Sequence, residues 1–145
     1  MLEEIEAIKV LKARYCRFLD TKDIDSWRAL FAPEVVVHLD LAVSTGGADP
    51  QTGPALNGFD EFFPVVWGGV EHAATVHHCH TPEIEITAPD RARAIWAMED
   101  WLFFPGGGSL HGAGHYHETY EKRDGSWVIT SLHLTRTLQQ FTAPE

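Results

Sequence analysis

Residues 91–127 read RARAIWAMEDWLFFPGGGSLHGAGHYHETYEKRDGSW, and this stretch decides the fold class. Arg91–Phe104 and Leu110–Lys122 are two long runs rich in aromatic and aliphatic residues, separated by a glycine-rich turn. Arg123-Asp124-Gly125-Ser126 predicts a second tight turn. The chain from Trp127 to about Phe141 predicts the next strand. Together these signals indicate an antiparallel meander.

The N-terminal segment predicts an amphipathic helix from Leu2 to about Asp20. Its apolar residues recur three and four positions apart, the spacing of one buried helical face; they are Ile5, Ile8, Leu11, Tyr15, Phe18 and Leu19. Tyr15 lies in this stripe, so its hydroxyl needs a polar partner in the interior. Asp20 lies about 140° further round a regular helix. The two side chains need not share a face, although both could border one cavity.

The remaining elements follow from turn signals and β-branched runs. In chain order we expect a short helix capped by Asp23 or Asp25 and ended by Pro33, a strand over Glu34–Leu41, a loop over 44–57 and a helix over Phe59–Trp67. A further strand over Thr75–Thr87 is interrupted near Pro82, at a bulge or a sheet edge. Helices that precede an antiparallel meander indicate an α+β fold with the helices on one face of a curved sheet. The 145 residues contain no linker, so we expect one domain over 1–145.

Composition and charge exclude several classes of function. A formal net charge of −10 argues against binding to nucleic acid or to an anionic membrane surface. The chain has no apolar run long enough to span a bilayer, and Met1-Leu-Glu-Glu does not begin a signal-peptide pattern. Cys16 and Cys79 are the only cysteines and form no disulfide framework. We therefore expect reduced thiols and a cytoplasmic location.

Strand alternation assigns the histidines near His77 to two opposite faces of the predicted strand. His77 and Cys79 fall on one face, whereas His78 and His80 fall on the other. The three imidazoles therefore do not converge on one point in a regular strand.

The same alternation places Asp100 on a face with Trp96 and Met98. An acid in such company is either paired or held with a raised pKa, which is the condition of a catalytic carboxyl group. On the next strand Gly112 and Gly114 share a face, and glycines inside a strand indicate that another group approaches closely.

Five segments in this order resemble one family, the SnoaL-like group of small cone-shaped α+β proteins. They are the Tyr15–Asp20 helix end, residues 75–86 (TVHHCHTPEIEI), residues 94–100 (AIWAMED), residues 114–127 (GHYHETYEKRDGSW) and residues 134–136 (LTR). The resemblance covers nearly the whole chain. It implies N-terminal helices in the concave face of a curved, mostly antiparallel sheet, a fold shared with scytalone dehydratase, bile-acid 7α-dehydratase and polyketide cyclases.

By this resemblance Tyr15, Asp20, His77 and Asp100 match the catalytic residues of the bile-acid dehydratase branch, and Arg136 borders the pocket. In the elimination that this implies, His77 removes a proton, Asp20 orients it and Tyr15 hydrogen-bonds the oxyanion. Asp100 donates to a departing hydroxyl if protonated, or orients His77 if ionised. The residues expected to contact substrate are Arg136, Trp96, Met98, Phe63, Trp67 and Tyr116. They indicate a hydrophobic cyclic substrate such as a steroid, terpenoid or polyketide, with no cofactor or metal.

Three other functions remain open. An isomerase or cyclase would use the same four groups, and a binding protein would use the pocket without chemistry. A metal enzyme of the cupin type would use His78, His80, Glu83 or Glu85, and His111, but leading helices do not suit that fold. The resemblance further implies a homo-oligomer, either a dimer or a trimer.

Overall fold

The N-terminal helix α1 spans Leu2–Asp20 and buries four of the six predicted stripe residues, while Ile5 and Phe18 are half-buried. The structure, a computed structural model, describes residues 1–145. Ile8, Leu11, Tyr15 and Leu19 of α1 are buried, and so is Lys12. After the helix, Lys22 takes a positive φ of 61°, and the Asp23 side chain accepts a hydrogen bond from Ser26 N at 3.4 Å to cap α2, Ile24–Arg28. Of the two predicted caps, the structure uses Asp23.

Six strands form one sheet: β1 Phe31–Leu39, β2 Ala55–Asn57, β3 Ala74–Ala88, β4 Arg91–Phe103, β5 Ser109–Arg123 and β6 Ser126–Thr142. Their order in space is β2-β1-β6-β5-β4-β3. All neighbours are antiparallel except β1 and β6, which run parallel. A third helix, α3, spans Phe59–Val70. The sheet is curved and unclosed, and the three helices pack against it, which confirms the predicted α+β cone.

Several predicted boundaries were wrong. Pro33 does not end the second helix but lies inside β1, where the pairing with β6 shifts between Phe31 and Val36. Proline has no N–H to contribute to a sheet, and an irregularity in the pairing tolerates it. The predicted loop 44–57 includes the short β2, and α3 continues to Val70 through two glycines.

The predicted interruption near Pro82 and the predicted Asp-Gly turn are both present. β3 passes Pro82 with an irregularity between His80 and Glu83, and Thr81 there has a φ of 48°. At the β5–β6 hairpin, Asp124 and Gly125 have φ values of 49° and 81°. Positive φ at both central residues is the geometry that an Asp-Gly hairpin turn requires.

The strand register builds the site on the inner, helix-covered face of the sheet. His77 of β3 lies opposite Asp100 on the neighbouring strand β4. In the same way Asp100 lies opposite Gly112 of β5, and Gly112 opposite Gln139 of β6. Arg136 lies beside this row, opposite Gly114. One row across four strands therefore brings together residues that are up to 62 positions apart in the chain. None of the helices is both long and apolar enough to cross a membrane.

Candidate active site

A cavity of about 360 Å³ lies between the inner face of the sheet and helices α1 and α3. Thirteen of its nineteen lining residues are hydrophobic, so the walls suit an apolar molecule. Leu41, Val65 and Phe141 line it while being 69%, 43% and 67% exposed, and they therefore form its rim. Asp40, His77, Asp100, Arg136 and Gln139 are polar lining residues, and Tyr15 and Tyr116, counted among the thirteen, add their hydroxyls.

His77 is held in one orientation by Asp20. His77 Nδ1 lies 2.6 Å from Asp20 Oδ1, and the His77 backbone N–H donates to Asp20 Oδ2 at 2.8 Å. Because a carboxylate only accepts hydrogen bonds, we assign the proton of the neutral ring to Nδ1. Nε2 then carries a free lone pair, and it lies 3.9 Å from Asp100 Oδ2. This arrangement leaves Nε2 able to accept a proton.

Asp20 is itself held by Thr75, the residue two positions before His77 on the same face of β3. Thr75 Oγ1 donates to Asp20 Oδ1 at 2.9 Å and accepts from Lys22 Nζ at 3.0 Å. Burial acts to raise the pKa of the Asp20 carboxyl, but the hydrogen bonds from His77 and Thr75 outweigh it and hold the pKa below its ordinary value. Asp20 is therefore a carboxylate at neutral pH.

Asp100 pairs with Arg136 through two parallel bonds. Arg136 Nη1 and Nη2 each donate to one Asp100 carboxylate oxygen at 3.1 Å. Burial alone would lower the pKa of Arg136, but Asp100 raises it above its ordinary value. A Cβ at Gly112 would overlap both the guanidinium and the carboxylate. The close approach that the strand glycine predicts is therefore this two-bonded pair of Asp100 and Arg136.

Two tyrosine hydroxyls complete the polar wall. Tyr15 Oη donates to Tyr116 Oη at 3.5 Å, a long contact, and both side chains are 2% exposed. Burial raises the pKa of each phenol well above its ordinary value. Both therefore remain protonated, and the Tyr116 proton is available to a ligand.

Four of the residues expected to contact substrate lie away from the cavity. Trp96 and Met98 are packed in the core, where Trp96 Nε1 donates to Tyr120 Oη at 2.9 Å. Phe63 and Trp67 stack on one another along a different face of α3, with ring centroids 5.7 Å apart. The apolar walls instead come from other residues, namely Leu19, Leu39, Leu41, Val65, Val66, Val70, Leu102, Phe104, Leu110, Leu134 and Phe141.

The structure reveals two residues that the sequence reasoning missed. Lys12 lies among apolar α1 residues and donates to Glu118 Oε2 at 2.6 Å, with both side chains at most 1% exposed. Its position, four after Ile8 and three before Tyr15, was a usable signal. Gln139 lines the cavity with a buried Oε1 that has no hydrogen-bond partner. It reaches the inner face through an irregularity in the β5–β6 pairing, which simple alternation from Arg136 does not predict.

The histidines of the outer sheet face lie elsewhere. A depression of about 720 Å³ on that face is lined by His38, His117 and His133, but by none of the four predicted catalytic residues. His78 and His80 are exposed, as their position opposite His77 predicts. No group of three or more His, Cys, Asp or Glu side chains is arranged to hold a metal ion.

Comparison with known proteins gives one family. The model of the SnoaL-like domain matches residues 1–133. The probable cyclase FGR4 of Gibberella zeae is 29% identical over 143 residues, which cover 92% of this chain and 91% of the cyclase.

Solved structures agree on the fold. A candidate scytalone dehydratase from Novosphingobium aromaticivorans superposes with a TM-score of 0.80 at 19% identity, over 99% of this chain and 91% of that one. A hexachlorocyclohexane dehydrochlorinase from Novosphingobium barchaimii superposes with a TM-score of 0.75 at 18% identity, over 98% of this chain and 92% of that one. At these identities the likeness concerns the fold alone. The match over residues 1–133 shows that the chain belongs to the SnoaL-like domain family.

Proposed function

We propose that this chain is a cofactor-independent acid–base lyase that eliminates water or a similar group from a hydrophobic cyclic small molecule. The observation that carries the proposal is the 2.6 Å contact between His77 Nδ1 and Asp20, because it leaves Nε2 as a base at an apolar cavity. The similar proteins include a probable cyclase and a hexachlorocyclohexane dehydrochlorinase, which supports an enzymatic role.

The reaction starts with proton abstraction. His77 Nε2 takes a proton from a carbon next to a carbonyl group, and Asp20 stabilises the resulting imidazolium. Tyr116 donates a hydrogen bond to the oxyanion that forms on the carbonyl oxygen, and Tyr15 joins it by turning its hydroxyl from the long 3.5 Å contact with Tyr116 to the same oxygen. The imidazolium then returns its proton to the leaving hydroxyl, which departs as water while the carbon–carbon double bond forms.

Asp100 acts as a carboxylate in this scheme. Both of its oxygens accept hydrogen bonds from Arg136, so of its two predicted roles we keep the one beside His77 and not proton donation to the leaving hydroxyl. Its Oδ2 lies 3.9 Å from Nε2, so the imidazolium is stabilised by a carboxylate whose charge Arg136 already compensates in part. Gln139 Oε1, which has no partner, accepts a hydrogen bond from a hydroxyl of the substrate.

The test is proton exchange on a panel of hydrophobic cyclic β-hydroxy ketones. In D₂O the wild-type chain should exchange the substrate proton next to the carbonyl group for deuterium, and nuclear magnetic resonance measures this rate. The wild-type chain should also produce the conjugated enone, and absorbance measures that rate. In His77→Gln both rates should be roughly 10²–10⁴-fold lower than in the wild type. His78→Gln is the matched control, because His78 is the adjacent residue on the opposite, exposed face. Equal rates in wild type and His77→Gln would refute the scheme.

A cyclase or isomerase is the second candidate, and the 29% identity to a probable cyclase favours it. Such an enzyme needs the same proton abstraction, so His77→Gln would abolish exchange, but the product would keep the substrate's composition. A pure binding protein would show ligand binding without exchange in any variant. Mass analysis of the product separates these outcomes.

Other expectations remain predictions: a single domain over 1–145, a cytoplasmic location, no nucleic-acid partner, and a homo-oligomer. Light scattering on the purified chain would distinguish a dimer or trimer from a monomer.

A further inference from the structure

The two cysteines meet across the seam between α1 and β3. Cys16 Sγ lies 3.6 Å from Cys79 Sγ, although the residues are 63 positions apart in the chain. Both thiols are free and partly buried. Cys16 lies one helical turn before Asp20, and Cys79 lies two residues after His77 on the same face of β3. The thiol pair is thus a second link between the elements that the Asp20–His77 contact already joins.

We propose that Cys16 and Cys79 are a redox-active dithiol, which hydrogen peroxide converts into a reversible disulfide between α1 and β3. The sulfur atoms are already in van der Waals contact, and bond formation at about 2.05 Å needs an approach of only about 1.5 Å. The site is accessible from outside the catalytic cavity. A groove of about 430 Å³, which shares only His77 with that cavity, is lined by both cysteines, with Lys9, Lys12 and His80 among its other residues.

The surroundings assign different roles to the two thiols. Hydrogen bonding with Cys79, aided by the Lys12 ammonium, lowers the pKa of Cys16 in spite of burial. The same hydrogen bond and burial raise the pKa of Cys79. Cys16 is therefore the thiol that ionises and reacts first, and Cys79 is the resolving thiol.

The reaction balances with peroxide as the oxidant. The Cys16 thiolate attacks one peroxide oxygen and the O–O bond breaks, which gives Cys16 sulfenic acid and a hydroxide that takes up a proton. Cys79 sulfur then attacks the Cys16 sulfur, the S–O bond breaks, and the hydroxide leaves with the Cys79 proton as water. Two thiols lose two electrons in total, and one peroxide becomes two waters.

Peroxide treatment of the purified reduced chain tests the proposal. Both thiols should disappear together, the mass should fall by two hydrogens, and one cross-linked peptide should contain Cys16 and Cys79. Dithiothreitol should restore both thiols. Because the bond closes a loop between residues 63 positions apart in the chain, the melting temperature should rise by roughly 5–15 °C. Thiols that stay free, or that are lost to disulfides between two chains, would overturn the proposal.

Two single variants test the order of the steps. Cys79→Ser should stop at the sulfenic acid on Cys16, which a dimedone probe traps, without a rise in melting temperature. Cys16→Ser should react more slowly with peroxide and give less trapped product. The opposite order of reactivity would refute the assigned roles. None of these readouts depends on catalytic activity, so they stand or fall independently of the proposed reaction.

Discussion

Asp20 combines three hydrogen bonds in one partly buried carboxylate. It accepts from the His77 ring, the His77 backbone and the Thr75 hydroxyl. A carboxylate with several donors is oriented as well as ionised, and this fixes the tautomer of the imidazole that it holds. Asp20 therefore contributes both to the docking of α1 on β3 and to the geometry of the base.

Asp20→Asn should lower both stability and activity. The folded-state pKa of Asp20 lies below its ordinary value, so its contribution to stability is complete above about pH 4 and is lost as the pH falls through the lower folded pKa. The difference in free energy of unfolding between wild type and variant, measured in urea at several pH values, should be largest near neutral pH and shrink on the acid side. The exchange rate should fall on the order of 10²-fold.

Asp49→Asn is the control, because Asp49 is exposed in the loop between β1 and β2. A pH-independent effect of Asp20→Asn would contradict the charge-based explanation.

Sequence reasoning predicts the face of a residue better than its position along that face. His77 and Asp100 fall on the inner face by alternation, and the structure places them opposite one another. Trp96 and Met98 share that face, yet they line no part of the cavity because α1 and the neighbouring core cover this half of the sheet. Which part of a sheet a helix covers depends on tertiary packing, which periodicity does not contain.

Among the elements, α1 is attached to β5 through a buried charge. Lys12 Nζ lies 3.6 Å from the ring centroids of both Tyr15 and Tyr116, and it donates to Glu118. Glu118 also accepts from Tyr120 Oη at 2.6 Å. The charge is thus satisfied by one carboxylate and two aromatic faces, which is how a lysine side chain stays buried.

Lys12→Met should lower the free energy of unfolding by about 3–5 kcal/mol, because it leaves the Glu118 charge buried without its partner. The double variant Lys12→Met/Glu118→Gln should recover most of that loss, since the amide keeps an acceptor for Tyr120 without a charge. Urea unfolding of the three proteins measures this. Lys9→Met is the matched control, as its side chain is 46% exposed, and it should change stability little. Additive losses in the double variant would contradict the buried-pair interpretation.

The order of the strands was less predictable than their existence. The hairpins β4–β5 and β5–β6 follow from turn residues that lie next to each other in the sequence. The parallel pairing of β1 with β6 joins Val37 to Leu132, and no local pattern specifies such a distant contact. Pro33 shows the same limit. Proline cannot continue a helix, but this rule does not tell whether the residues directly before it are helical or already belong to a strand.

For the molecule as a whole, the cavity joins an apolar rim to a polar interior. The charged and hydrogen-bonding groups lie on the inner face of the sheet, whereas Leu41, Val65 and Phe141 stand exposed where the cavity opens. A hydrophobic substrate would gain binding energy at the rim without involving the reacting atoms. The rim and the proton-transfer groups should therefore affect different kinetic constants.

Phe141→Ala should raise KM for a hydrophobic cyclic substrate roughly 5–30-fold and leave kcat nearly unchanged, since it removes about 1–2 kcal/mol of apolar contact that ground state and transition state share. Steady-state kinetics of the exchange reaction measure both constants. Phe103→Ala is the matched control, because Phe103 is 48% exposed, stacks on Trp101 and lies outside the cavity. A fall in kcat with unchanged KM would show instead that the rim orders the catalytic groups, and substrate entry would then have to be assigned to another part of the surface.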